Sequence, residues 1–256
     1  MSSLLVSNDS DSAEKLVLRS DMRIKKRAVV VALPPGFKST FLDALTPREV
    51  RALLKGARSV RISPHEVLQQ EGEPARRLWL LGTGRVAVYR LTRDGNKLFL
   101  RWGAPGDAFG LATIVSAPAR YLVTIEAVQE GSILAWDLAA CEALISRCPS
   151  LSKAVNWAVS KYLESLIDMF GVCRLRTAEE RLARVLVESA GQLGHSGPEG
   201  IEVDLKNEEV ALAAHMSLFT VARHLSKWQR TGLLKKYRGK IVLPSLSPFG
   251  TITSDT

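Results

Sequence analysis

The chain has 256 residues, 46% of them hydrophobic and 24% charged, a globular balance long enough for two domains. A formal charge of +9 and a pI near 9.7 favour a polyanionic partner, nucleic acid or acidic membrane. No apolar run approaches the ~20 residues that span a bilayer, and three cysteines without a CxxC pair suit free thiols in a reducing cytoplasm better than a disulfide framework.

The opening MSSLLVSNDSDSAEKL lacks a basic region followed by an apolar one, so no secretory signal is read there. Residues 1–36 are polar, then basic (Arg19, Arg23, Lys25, Lys26, Arg27), and read as a mobile arm with too little apolar content to pack alone. Phe41, Leu42 and Leu45, then Val50, Leu53 and Leu54, predict two short helices, the second starting at Thr46-Pro47. From Ser59 to Asp137 the pattern changes to short β segments separated by glycines at 72, 82, 84, 95, 103, 106 and 110. Alternation is clear in Arg85–Tyr89 and in Lys97–Arg101, and Arg93-Asp94-Gly95-Asn96 reads as a hairpin turn. Strands this short and regular predict a small antiparallel barrel or roll over 37–137.

Residues 138–175 return to a helical period. Val159, Leu163, Leu166, Phe170 and Cys173 repeat at steps of four and three, the 3.5-residue spacing of a coiled-coil seam. Leu151, Val155, Ala158 and Tyr162 form a second apolar line, so one helix can pack on its own domain and on a partner. Gly171 and Arg174–Thr177 mark a hinge. Thr177-Ala178-Glu179-Glu180 then starts a new helix as a capping box, and 191–200 reads as a loop leading to a short strand at 201–203, with His195 unpartnered and given no role.

The most informative stretch is 205–243, where eight basic residues oppose two acidic ones. That sign suits a phosphate backbone, because neutralising phosphates releases condensed counterions. Val210, Ala211 and Ala214 form the small inner face of a first helix and Met216 plugs the corner. Ser217 caps a second helix held by Val221 and Leu225, with Thr220, Arg223 and Lys227 on its outward face. Gly232 ends that helix, and KKYRGKIVL predicts a two-stranded wing turning at Arg238-Gly239.

A glycine-turned roll, a long helix and a winged helix-turn-helix, in that order, resemble the Crp/Fnr family of bacterial transcription regulators. Gly72, Gly84, Gly95, the segment Pro105–Gly110, Thr177–Ala183 and the helix-turn-helix carry the likeness, which covers residues 37–244. It implies an α+β chain: an antiparallel, jelly-roll-like sensor (37–137), a dimerisation helix and hinge (138–175), a DNA-binding winged helix-turn-helix (176–247) and a tail (248–256). The departures concern the ligand. Nucleotide-binding members follow the Phe with Gly-Glu and, about ten residues later, Arg-Ser or Arg-Thr. Here Leu111 follows Gly110, and Tyr121 and Leu122 stand where the phosphate contacts would be. An apolar pair cannot satisfy a buried phosphate, so cAMP is not expected; Arg120 and Thr124 are the nearby candidates for anion binding. An iron–sulfur cluster is not expected either, since no cysteine precedes Cys141. Haem stays open through His65 and the cysteines; the cysteines themselves read as inert buried thiols before redox switches.

In the recognition segment Leu218 and Phe219 replace the family's frequent Arg-Glu, while Arg223 is retained. The apolar pair suits thymine methyls, and Arg223 suits guanine or phosphate. His215 stands at the turn position usually held by glycine. The reading is a cytoplasmic homodimer that binds an inverted repeat in double-stranded DNA through Lys206, Ser217, Leu218, Phe219, Thr220, Arg223, Lys227 and Arg238. It dimerises through Val159, Leu163, Leu166 and Phe170, with RNA polymerase as a further candidate partner and no membrane. The ligand candidates are Gly110, Leu111, Arg120, Tyr121, Leu122 and Thr124. Its rival is a ligand-binding or protein-docking module whose degenerate helix-turn-helix binds no specific DNA. An enzyme is not expected: no Ser/His/Asp, HExxH, phosphate-loop or paired-carboxylate arrangement occurs.

Overall fold

The computed structural model describes residue 33 and residues 36–115, 120–173 and 177–254. The expected arm falls almost wholly outside them, as do hinge residues 174–176. Two short helices, α1 (Thr40–Asp43) and α2 (Pro47–Lys55), lead into the roll. Thr46 caps α2 as a full capping box with Glu49, and Pro47 takes the first turn, where a missing N–H costs nothing.

The roll is built from β1 (Arg58–Ile62), β2 (Val67–Gln69), β3 (Arg77–Leu91), β4 (Lys97–Gly103), β5 (Ala108–Phe109) and β6 (Thr124–Asp137), with a short α3 (Ala112–Val115) before β6. All pairings are antiparallel, in the order β1-β6-β3-β4, with β2 added to β6 and β5 to β3. Trp79, Leu81, Val86, Val88, Phe109 and Ile133 fill its interior. Gly110 sits at φ 72, where a Cβ would meet the Arg77 carbonyl at 2.2 Å, so only glycine lets the chain pass β3 this closely.

Helix α4 (Leu138–Arg147) is separated from α5 (Leu151–Cys173) by a break at Cys148–Ser150, where one continuous helical stretch was expected. The Ser150 N–H donates to Glu49 Oε1 at 3.0 Å, which ties the start of α5 to α2. Gly171 lies within α5. Leu151, Ala154 and Val155 are buried against the roll, whereas Val159, Leu163 and Ile167 are exposed.

The C-terminal part runs α6 (Ala178–Leu193), β7 (His195–Gly197), β8 (Gly200–Val203), α7 (Asn207–Ala214), α8 (Leu218–Arg230), β9 (Lys235–Tyr237), β10 (Lys240–Leu243) and α9 (Ser247–Ser254). Thr177 and Glu180 complete a capping box on α6. The wing is half of a four-stranded sheet, order β7-β8-β10-β9, not an isolated pair. The expected 191–200 loop is therefore the end of α6 plus a hairpin, and His195 acquires a neighbour, Glu202, at 3.5 Å. Leu182, Leu186, Val210, Val221, Leu225 and Trp228 form the core here.

Candidate nucleic-acid interface

Helix α7, a left-handed turn and α8 make the helix-turn-helix. His215 occupies the turn at φ 51, ψ 47, the conformation expected of a residue in the glycine position. Ser217 caps α8, its Oγ accepting the Thr220 N–H at 3.1 Å, and so is engaged within the helix. Val221, Leu225 and Trp228 face the core. The opposite face carries Phe219, Arg223, Ser226 and Arg230, spaced four, three and four apart and all exposed. The expected outward line of Thr220, Arg223 and Lys227 shares Arg223 with this face. Thr220 lies half-buried on its flank, and Ser226 and Arg230 join the face at helical spacing from Phe219. Phe219 is 77% exposed and Leu218 46%. Gly232 stands at φ 76 just beyond the helix, as expected.

The cations divide into two groups. Lys227 donates to Glu179 at 3.0 Å, and Glu179 also accepts from Trp228 Nε1. Lys235 and Tyr237 Oη both donate to Glu199, at 2.6 and 2.9 Å, and Lys240 pairs with Glu202. Each lysine beside its carboxylate holds that carboxyl below its usual range. Among the described residues, Lys206, Arg223, Arg230, Lys236 and Arg238 have no carboxylate at ion-pair distance. The free positive charge is thus narrower than the eight basic residues suggested. It is concentrated on the α8 face and on the wing tip, where Gly239 turns at φ 74 beside exposed Arg238.

Two of the six ligand candidates, Gly110 and Tyr121, both lie at the Arg77 carbonyl. Tyr121 is 6% exposed; its Oη accepts the Arg76 and Arg77 N–H groups at 3.2 and 2.9 Å and donates to the Arg77 carbonyl at 3.2 Å. Leu122 points out, 72% exposed. Arg120 is exposed, donating to the Gly72 carbonyl at 2.5 Å. Thr124 is buried and accepts the Glu71 N–H at 3.0 Å, and Leu111 packs among the helices under the roll. A cavity of about 300 Å³ lies between β4, α1, α5 and the end of α6. There Arg101 is taken by Asp107 at 2.6 Å and lies over the rings of Phe109 and Tyr162. His65 is exposed on a loop near Glu126, while Cys141 and Cys148 are in the core beside α4. Burial pushes the Cys141 thiol up to about 11 and raises that of Cys148, so both stay protonated and unreactive at neutral pH.

A jelly-roll-like sensor joined by a long helix to a winged helix-turn-helix defines a class of transcription regulators. Residues 59–148 match the family model of the cyclic nucleotide-binding domain, and residues 180–247 that of the Crp-like helix-turn-helix domain. The transcriptional regulator LdrP of Thermus thermophilus is 30% identical over 192 residues, 73% of this chain and 92% of that one. A CRP-like cAMP-activated global transcriptional regulator of Mycobacterium tuberculosis is 24% identical over 210 residues, 81% of this chain and 93% of its own. In fold, the structure of FixK2 from Bradyrhizobium japonicum matches with a TM-score of 0.67 at 22% identity, covering 78% of this chain and 98% of that one. The chain belongs to the Crp/Fnr family of transcription regulators, and carries both its cyclic nucleotide-binding-like domain and its DNA-binding helix-turn-helix domain. No helix among the described residues is long and apolar enough to cross a membrane.

Proposed function

We propose that this chain is a cytoplasmic, homodimeric DNA-binding transcription regulator that reads an inverted repeat and does not respond to cAMP. One observation carries the DNA reading: the outward face of α8 presents Phe219, Arg223 and Arg230 free of internal partners beside the basic wing tip at Arg238. The N-terminal residues of a recognition helix meet base edges in the major groove. Phe219 and Leu218 suit thymine methyls, Arg223 suits guanine O6 and N7, and Lys206, Lys236 and Arg238 suit phosphates. The exposure of Val159 and Leu163 supports dimerisation through the seam Val159, Leu163, Leu166 and Phe170 of α5, with residues 37–137 as sensor, 138–175 as dimer helix and hinge, and 176–247 as reader. Against cAMP stands Tyr121, whose phenol fills a position where the family places a phosphate contact and is already satisfied by backbone. The sensor then takes another signal or needs none, and RNA polymerase is a further partner.

The exposed apolar pair Leu218 and Phe219 also favours the rival, a protein-docking module without specific DNA. Selection from a random duplex pool, with and without cAMP, followed by footprinting, separates the two. The expected product is one inverted repeat, protected equally in both conditions. No enrichment supports the rival, and enrichment only with cAMP overturns the reading of Tyr121.

A further inference from the structure

The outer face of β3 and β4 should be solvated if polarity alone decided burial, since the 85–89 alternation leaves Arg85, Ala87 and Tyr89 on one side. It is covered instead. Ala87, Tyr89, Phe99 and Trp102 belong to the same apolar cluster as Val210, Ala211, Ala214 and Leu225 of the reader. A bulge makes this possible. Val88 pairs with Arg101 and Tyr89 with Phe99, so Leu100 is the extra residue. It brings Phe99 and Trp102, three apart and otherwise on opposite faces, to one side with ring centroids 4.6 Å apart.

Two polar contacts flank that patch, one at each end of α7. At the start, Arg85, 7% exposed, donates from Nη2 to Glu209 Oε1 at 2.6 Å and from Nη1 to the Asp204 carbonyl at 2.5 Å, with its guanidinium over the Trp102 ring. Glu209 is a shared residue: its other oxygen accepts the Lys206 N–H at 2.7 Å and so caps α7. At the far end, His215 Nε2 donates to the Phe99 carbonyl at 3.2 Å from the left-handed turn that leads into α8. A residue at that turn needs no side chain to make the turn, and glycine would do it with less strain.

We propose that Arg85 and His215 are positioning residues. They clasp both ends of α7 to the roll, so that the roll's own side chains fix the angle and separation at which the two α8 helices of a dimer meet DNA. The inference rests on the DNA reading above. Removing one partner of a buried ion pair leaves the other charge buried without compensation, so loss of Arg85 frees the reader while α8 itself keeps its face. The consequence is specific to geometry: the clasped dimer discriminates sharply between half-site spacings, and the unclasped dimer does not.

The test uses the full chain as wild type, Arg85→Ala, His215→Gly and the exchange Arg85→Glu with Glu209→Arg. Each is titrated on duplexes carrying the selected repeat, the same half-sites respaced by ~5 bp, about half a helical turn, and a single half-site. Arg85→Ala should bind the natural repeat about 10-fold or more weakly, within the ~5–150-fold range usual for coupled sites. It should keep single-half-site affinity within about 2-fold and lose most of the spacing preference. His215→Gly should move the same way to a lesser degree, and the exchange should recover part of the preference. Wild-type spacing preference in Arg85→Ala overturns the proposal, and so does an equal loss on the single half-site, which would make Arg85 merely structural. A wild type without DNA affinity overturns the DNA reading and this use of the clasp. Amide exchange over 207–216 in free protein then judges the contact alone: it should quicken in Arg85→Ala, and unchanged exchange rejects the clasp.

Discussion

Tyr121, proposed to stand where a nucleotide-binding relative would contact phosphate, has its oxygen engaged by the backbone of Arg76 and Arg77. Tyr121→Phe leaves two N–H groups without that acceptor, a loss of about 1–3 kcal/mol for each group that stays buried and unsatisfied. We expect a clear fall in thermal midpoint that cAMP does not restore; stabilisation of either form by cAMP would show a functioning nucleotide pocket. Arg223 makes a second prediction on this scale. If it reads guanine, Arg223→Ala costs about 1–3 kcal/mol at the cognate site and relaxes preference at one base pair. If it touches only phosphate, all sequences weaken alike and the salt slope shrinks by about one unit. Equilibrium titrations on cognate and random duplexes decide, and unchanged binding on both would place the reading surface outside 217–228. Both positions were legible because each stands at a fixed offset in a motif, Tyr121 as a departure from it and Arg223 as a retained residue. The pairings of Lys227, Lys235 and Lys240 were not, because their carboxylates lie 36 to 48 residues away in sequence.

Helix α5 shows what periodicity can and cannot give. Its two apolar lines were visible as spacing. Leu151 and Val155 are buried on the roll, and Val159 and Leu163 are 44% and 56% exposed; the seam's Phe170 side chain lies outside what is described. An exposed Leu163 beside Ile167 is costly in a monomer and natural in a dimer seam. Leu163→Lys should convert a dimer to monomer by setting an unpaired charge in a desolvated contact, with sedimentation at micromolar concentration as the measurement. A wild type that sediments as a monomer there removes the seam. Elsewhere periodicity failed for physical reasons. The 138–173 stretch is two helices because Pro149 holds Cys148 out of the helical region, at φ -124 and ψ 84, and so ends α4. Arg85 to Tyr89 alternate in polarity yet are all buried, since the reader covers the face that alternation leaves open. A bulge at Leu100 and a hairpin at 195–203 are tertiary choices that no local pattern announces.

At the scale of the whole molecule, the net charge of +9 overstates what DNA would meet. Lys235 and Tyr237 of the wing are both held by Glu199, a residue of the β7–β8 turn, so the wing's first strand presents a neutralised pair. Such a lysine must leave its carboxylate to take a phosphate, and the exchange releases fewer counterions than a free cation would. Glu199→Gln removes that competition without touching the core. If β9 lies against the backbone, the slope of log K against log salt should steepen by about one unit, near the ~0.9 contributed by each neutralised phosphate. Specific and random duplexes should gain together at low salt, because phosphate contacts carry no base information. Glu130→Gln is the matched control: it frees Arg61 of β1, 3.7 Å away, and should leave the slope alone. Titration of the three proteins from low to physiological salt reads the difference. A slope unchanged by Glu199→Gln would take the wing's first strand off the DNA and leave α8 and Arg238 as the contacting surface.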